Sequence, residues 1–293
     1  MDNRNETASR HCCFLSAAHF PKLYETFIEA FSDYVFPFAL TEDQFRNHII
    51  LNAVDLERTM ACMENGKLVG FSLNGFGEWD GKPTVYDAGT GVIPAFRRQG
   101  LSDAMFAMMM PFFKEKGIEQ FLLEVVTSNY GAIRLYEKLD FRVVRELALL
   151  QCDGGIKSSL PQARDIEIRD ILDCDWELFT SFWDGKPSWQ NSVEAVGRTT
   201  GLKKIAGAFI AGRCVGYIVF SSKFGRIAQM AVDRSHRNRG VGTMLLQKTQ
   251  SETATGYSLQ VINIDKSLSA ATDFFRNRGF YERLSQFEMI KPM

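Results

Sequence analysis

Two short segments of the chain set basic side chains and glycine at the start of an apolar, helix-period stretch. They are Arg97-Arg98-Gln99-Gly100-Leu101-Ser102 and Arg237-Asn238-Arg239-Gly240-Val241-Gly242, whose leading arginines lie 140 positions apart. A helix start leaves backbone N–H groups without intrahelical partners and carries partial positive charge. Glycine lets a phosphate approach that backbone because no Cβ intervenes. Arginine adds charge-assisted hydrogen bonds. The chemistry these segments suit is the cradling of a pyrophosphate. A P-loop would need Gly-x-x-x-x-Gly-Lys-Ser/Thr, which is absent, and the Gly89-Thr90-Gly91 run continues as Val-Ile-Pro, so it is no dinucleotide fingerprint.

Such a cradle needs a strand leading in and a helix leading out, and both copies have them. Asn65-Gly66 and Asp80-Gly81 separate three strand-like runs between Met60 and Pro94. Ala211-Gly212 and Lys223-Phe224-Gly225 separate three more between Lys204 and Val232. Hairpin linkage makes these strands antiparallel. Helical periodicity follows over Leu101–Lys116 and from Gly242 to about Thr253, then the strands QFLLEVVT and YSLQVIN, then helices over Asn129–Phe141 and Leu268–Phe280. Last strands, RVVRELALL and YERLSQFEM, close each half. The offset between copies slips from 140 at the arginines to 139 at Tyr136 and Phe275. Pro111 is therefore expected to kink or bulge the first of these helices. Helical stretches also precede each meander. The pattern predicts an α/β chain of two tandem domains, 1–150 and 165–293, joined by the Gly-, Ser- and Pro-bearing linker 151–164.

The bulk numbers agree with two domains: 293 residues, 45 % hydrophobic and 24 % charged. A formal net charge of −1 offers no global field for nucleic acid or an acidic membrane. The polar N-terminus lacks a signal-type apolar core and no run of about 18 apolar residues occurs, so a cytoplasmic protein without a membrane partner is expected. Six cysteines form no C-x-x-C pair, and no His cluster has metal spacing, so reduced thiols and no metal are expected.

The two segments and their setting resemble the GNAT family of N-acetyltransferases, twice over and across nearly the whole chain. The family's cofactor motif is Arg/Gln-x-x-Gly-x-Gly/Ala. Residues 237–242 match it fully, and residues 97–102 match with Ser102 at the last position. The second family motif, Asn-x-x-Ala-x-x-x-Tyr-x-x-x-Gly-Phe, appears as Asn129, Ala132, Tyr136 and Phe141, with Asp140 for the glycine. In the second copy Ala271, Gly279 and Phe280 remain, while Leu268 and Phe275 replace the asparagine and tyrosine.

The resemblance implies two GNAT folds, each a mainly antiparallel sheet with splayed central strands flanked by helices. It implies acetyl-CoA as cosubstrate and direct attack by a primary amine in a ternary complex. The cradles Arg97–Ser102 and Arg237–Gly242 would hold the pyrophosphate. Backbone N–H groups near a strand bulge, at Gly91 and Val92 or at Ala231 and Val232, would polarise the acetyl carbonyl. Tyr136 would protonate the leaving thiolate, as a phenol can, with Asn129 beside it. Asp87 or Glu124 could deprotonate the amine, directly or through water. The acceptor, a small molecule or a peptide, would meet Phe31–Phe38 and Gly77–Pro83 in the first domain, with Asp33, Glu78 and Asp80 attracting the amine, and FWDGKPSWQ in the second. Only the first domain keeps the tyrosine, so the main activity is expected there. A CoA-binding sensor or pseudoenzyme is the alternative.

Overall fold

The computed structural model describes residues 10–34, 40–157 and 165–293. Val35–Phe38 of the expected acceptor segment, residues 158–164 of the linker and the N-terminal residues 1–9 lie outside the described residues. The chain forms two compact units, Met1–Val144 with Glu288–Met293, and Arg145–Phe287.

In the first unit β1 (Arg10–Phe14), α1 (Phe20–Ala30) and α2 (Glu42–Leu51) precede a meander of β2 (Met60–Glu64), β3 (Lys67–Trp79) and β4 (Lys82–Val92). Thr41 caps α2 by accepting from the Gln44 N–H at 3.3 Å while Gln44 returns a bond to the Thr41 N–H at 2.8 Å, a reciprocal capping box. Asn65 and Gly66 have φ of 49° and 79°, and Asp80 and Gly81 have 52° and 72°. Two successive left-handed residues give the primed turns that match strand twist, so β2–β3 and β3–β4 are tight antiparallel hairpins. Then come α3 (Leu101–Glu115), β5 (Gln120–Val126) and α4 (Tyr130–Lys138). Helix α3 runs without a break through Pro111, so the expected interruption does not occur.

Strand order is β1-β2-β3-β4-β5, with β5 parallel to β4. Alternation along β3 settles the layers. Phe71 stacks on Phe27 of α1 at 5.7 Å, while a Cβ on the adjacent Gly70 would point at Met105 of α3. The sheet is thus packed on one face by α1 and α2 and on the other by α3 and α4. Phe27 and Phe45 fill the first layer, Phe106, Phe113, Phe121 and Phe141 the second, all buried.

No pattern in the chain marked β1, and β1 overturns one expectation. It pairs antiparallel with β2 so that Cys12 faces Cys62, with Cα atoms 4.0 Å apart, and the two are joined in a disulfide. Direct cross-strand apposition brings the sulfurs together, so these two are not the reduced thiols expected. Cys13, Cys152, Cys174 and Cys214 are free.

The second unit begins with most of β6 (Arg142–Cys152) and continues with β7 (Glu167–Asp170), α5 (Trp176–Ser181), α6 (Val193–Arg198), β8 (Lys204–Ile210), β9 (Arg213–Ser221), β10 (Arg226–Val232), α7 (Val241–Glu252), β11 (Leu259–Asp265), α8 (Ser269–Arg276) and β12 (Tyr281–Pro292). Its strands run β6-β11-β10-β9-β8-β7, with β12 beside β6. Leu150, the expected end of the first domain, lies within β6 and pairs with Val261 of β11. Conversely, residues 288–293 belong to the first unit, where the Met293 N–H donates to Glu119 O at 2.9 Å. Among the described residues no helix is long and apolar enough to cross a membrane.

The first unit's meander is locked to the end of α2 by a close backbone approach. Asp55 N donates to Asn74 O at 3.0 Å and Phe76 N to Ala53 O at 3.1 Å. Between them a Cβ on Gly75 would stand 2.0 Å from Asn52 O, a backbone atom. We expect Gly75→Ala to cost about 3 kcal/mol or more. Gly197→Ala, in α6 with nothing within 4 Å, should stabilise by about 0.5–1 kcal/mol. Denaturant unfolding of both variants checks this.

Candidate active site

Each unit breaks its own sheet at the same place. Strands β4 and β5 pair from Thr84↔Gln120 to Asp87↔Leu123 and then part, although both continue. Strands β10 and β11 pair at Arg226↔Gln260 and Ile227↔Val261 and then part. The cause is a bulge on the shared strand. In β4 the register with β3 jumps from Asn74↔Asp87 to Leu73↔Gly89, leaving Ala88 extra. In β10 it jumps from Ile227↔Phe220 to Gln229↔Val219, leaving Ala228 extra. A bulge bends and overtwists its strand, which here swings it off its parallel neighbour. The bulges fall three residues before the expected acetyl-side positions, Gly91 with Val92 and Ala231 with Val232. A Cβ on Gly91 would meet Phe71 at 2.8 Å and Ala30 at 3.1 Å, so its glycine serves packing under α1.

The cradles have matching backbones. Arg98 and Asn238 both have φ of 60°, and Gly100 and Gly240 have 77° and 89°. No atom lies within 4 Å of a Cβ placed on either glycine, so the approach to the helix start is open. Leu101 and Val241 bury their side chains and anchor the first turn. Ser102 leaves the α3 start intact. Gly242 is required for another reason: a Cβ there would stand 2.8 Å from the Phe274 ring.

The leading arginines do other work than expected. Arg97 donates from Nε to Val92 O at 3.0 Å, from Nη2 to Ala30 O at 2.9 Å, and to both Asp33 oxygens at 2.7 Å. Arg237 repeats this with Val232 O at 3.0 Å, Phe182 O at 3.0 Å and Asp184 at 2.6 Å. Both guanidinium groups clamp the cradle loop to the strand end and to the preceding helical segment. Asp33 is therefore bound to Arg97, which holds its carboxyl below the usual range. Gln99 is held by Arg10 of β1 at 2.8 Å. Arg98, Asn238 and Arg239 are exposed.

Asp87 and Tyr136 come together at the fork. The Tyr136 hydroxyl, from α4, donates to Asp87 Oδ2 at 3.2 Å, and both side chains are buried. Burial pushes the Asp87 carboxyl up to about 6, against the stabilising bonds from Thr90 Oγ1 at 2.8 Å, the Gly89 N–H at 2.9 Å and Tyr136. Burial first, and then the Asp87 charge, raise the Tyr136 phenol well above its ordinary value. Asn129 caps α4 by accepting from Ala132 N at 3.2 Å, and Tyr34 lies within its hydrogen-bond reach. The structure adds His48 of α2, whose Nε2 donates to the bulge carbonyl Ala88 O at 2.7 Å. No motif marked His48, Thr90 or Tyr34.

Glu124 is not part of this group. It accepts from Tyr86 at 3.1 Å. Tyr86 and Asp87 are neighbours on one strand and so face opposite sides of the sheet. The Gly77–Pro83 hairpin, with Glu78 and Asp80, sits at the end of β4 away from the bulge, so it does not border the fork. In the second unit, by contrast, Trp183, Asp184, Lys186 and Pro187 of the expected acceptor segment line a cleft of about 530 Å³ together with Ala231 and Val232. Among the described residues no group of His, Cys, Asp and Glu could hold a metal ion.

The acetyltransferase (GNAT) family model matches residues 20–141, and the model of an acetyltransferase (GNAT) domain matches residues 204–284. An N-alpha-acetyltransferase from Saccharolobus solfataricus is 39 % identical over 64 residues, 22 % of this chain and 38 % of that protein. One from Sulfurisphaera tokodaii is 33 % identical over 99 residues, 31 % of this chain and 59 % of that protein. The chain thus spans less than two thirds of either relative. The tandem GNAT protein from the clavulanic acid biosynthesis pathway superposes with a TM-score of 0.71 at 14 % identity, over 97 % of this chain and 98 % of that one. Forked sheets, paired cradles and two family matches together make this chain a tandem, two-domain member of the GNAT family of acetyltransferases.

Proposed function

We propose that the first unit transfers an acetyl group from acetyl-CoA to a primary amine by direct attack in a ternary complex. The Asp87–Tyr136 hydrogen bond at the fork carries this reading. With its carboxyl at about 6, Asp87 is mostly ionised at neutral pH and suited to take the amine's proton. As nitrogen bonds to the acetyl carbon and the carbon–sulfur bond breaks, Tyr136 gives its proton to the sulfur. A phenol held well above its ordinary pKa is a poor acid alone. Asp87 resolves this by returning the amine's proton to the Tyr136 oxygen, so the pair ends as it began. The open helix start at Gly100–Ser102 receives the pyrophosphate. Backbone groups of β4 beyond Ala88, released from β5, receive the extended pantetheine arm. Since the relatives above are named N-alpha-acetyltransferases, a peptide α-amine is the first acceptor to assay.

Tyr136→Phe should lower kcat about 100-fold or more with little change in KM for acetyl-CoA. Unchanged turnover would remove the tyrosine from the mechanism. Asp87→Asn should lower kcat similarly and erase the rise of activity through pH 6. Its effect on stability has the opposite sign. The native carboxyl titrates at about 6 against an ordinary value of 3.8, so stability is fullest below about 4 and falls as pH rises through 6. Asp87→Asn should therefore melt above wild type at pH 8 and level with it at pH 4.

The arginine clamp gives a further outcome. Asp33→Ala frees Arg97 from its ion pair and should raise the KM for acetyl-CoA severalfold while leaving the acceptor KM unchanged. A selective rise in acceptor KM would return Asp33 to the amine site.

A further inference from the structure

The forks of the two units are the same in backbone and opposite in polarity. Asp87 and Ile227 are each the last residue paired to the parallel neighbour, and each precedes its bulge. Three residues on, Thr90 answers to Met230. Asn129 and Leu268 are the N-cap positions of α4 and α8. Tyr136 and Phe275 each receive a hydrogen bond on their carbonyl from the phenylalanine five residues later, Phe141 and Phe280. At these four positions the polar groups of the first fork have become apolar, and Ile227, Met230, Leu268 and Phe275 all line the cleft, beside the polar Asn191, Gln229 and Asn263.

The mouth of that cleft has stayed polar and gained a cation. Besides the cradle and its clamp, Arg278 lies 4.0 Å over the Phe274 ring and donates to Thr243 Oγ1, in the first turn of α7, at 2.8 Å. The ring in turn covers Gly242. Of the ionisable groups along the cleft, Asp184 is engaged with Arg237, Asp265 with the Ser267 N–H at 2.9 Å and with Arg145 at 3.6 Å, and His236 with Ser235 Oγ at 2.9 Å and with Asp233 at 3.6 Å. Among the described residues of this cleft, none repeats the Asp87–Tyr136 arrangement.

We propose that the second unit is a binding site for CoA thioesters with an aliphatic acyl group larger than acetyl, which it holds without transferring. This rests on the reading that the cradles receive the CoA pyrophosphate. The positive mouth takes the phosphates, and the acyl chain covers the half-buried Met230 and Leu268, above Ile227 and Phe275, in place of water. With Ile227 and Phe275 at the positions of the Asp87 carboxylate and the Tyr136 hydroxyl, the thioester stays intact. Burying each methylene favours binding about fourfold, so butyryl-CoA, two methylenes longer, should exceed acetyl-CoA about 15-fold.

The test uses the full chain with Ser102→Asp, which sets a negative charge at the first cradle. Calorimetric titration should show one remaining site that prefers butyryl-CoA about 15-fold, and the bound thioester should survive incubation with a peptide amine. Adding Met230→Thr and Phe275→Tyr should cut the preference below about threefold. A remaining site that binds acetyl-CoA as tightly as butyryl-CoA would overturn the proposal, as would transfer of the butyryl group. If wild type binds acetyl-CoA but Ser102→Asp binds no thioester, this inference alone fails. If wild type binds none, the cradle reading fails with it.

Discussion

The parting of two parallel strands is the constraint from which the rest of each unit follows. A buried parallel ladder is normally continuous, because every unpaired N–H or C=O inside a protein is costly. Here one extra residue, Ala88 or Ala228, turns the shared strand away and leaves its inner edge without the neighbouring strand. A ligand with amide groups and an extended shape can complete that edge, much as a peptide adds to a sheet. The helix leaving the same strand begins where the strand ends, so the edge and the anion-attracting helix start face one elongated molecule together.

Holding this open fork in shape falls to groups that never need to touch a ligand. Arg97 and Arg237 each satisfy a strand-end carbonyl and a carbonyl of the preceding helical segment, with an aspartate as counter-ion. His48 binds the bulge carbonyl itself. These bonds fix the loop before anything binds, which reduces the ordering cost of association. On that common frame the lining is free to diverge, and it has: a hydrogen-bonded carboxyl and phenol in one unit, an isoleucine and a phenylalanine at the same positions in the other.

Much of this was legible in the chain. Turn residues with obligatory left-handed backbone, such as Asn65-Gly66 and Ala211-Gly212, marked the meanders, and the 140-residue self-similarity marked the two copies. Tyr136 followed from a motif position, whereas Asp87 stood only as one of two strand carboxylates, and its hydrogen bond to Tyr136 became visible in the fold. What escaped was set by long-range packing. Strand β1 has five residues and takes its partners from β2. Bulge position depends on register with a second strand, which one strand's sequence does not carry. The role of Arg97 was misread because a guanidinium serves a phosphate and a carbonyl with the same donors. Glu124 looked equivalent to Asp87 until strand alternation put them on opposite faces.

The division of the chain has a consequence for how it is made. The first unit takes Glu288–Met293 as part of itself, yet those residues are translated only after the whole second unit. Its other strands must wait, through synthesis of the entire second unit, with a row of β5 backbone groups exposed. Order of translation and order of completion are thus reversed for the unit that holds Asp87 and Tyr136, and a nascent chain arrested before residues 288–293 would carry these two side chains in an unfinished sheet.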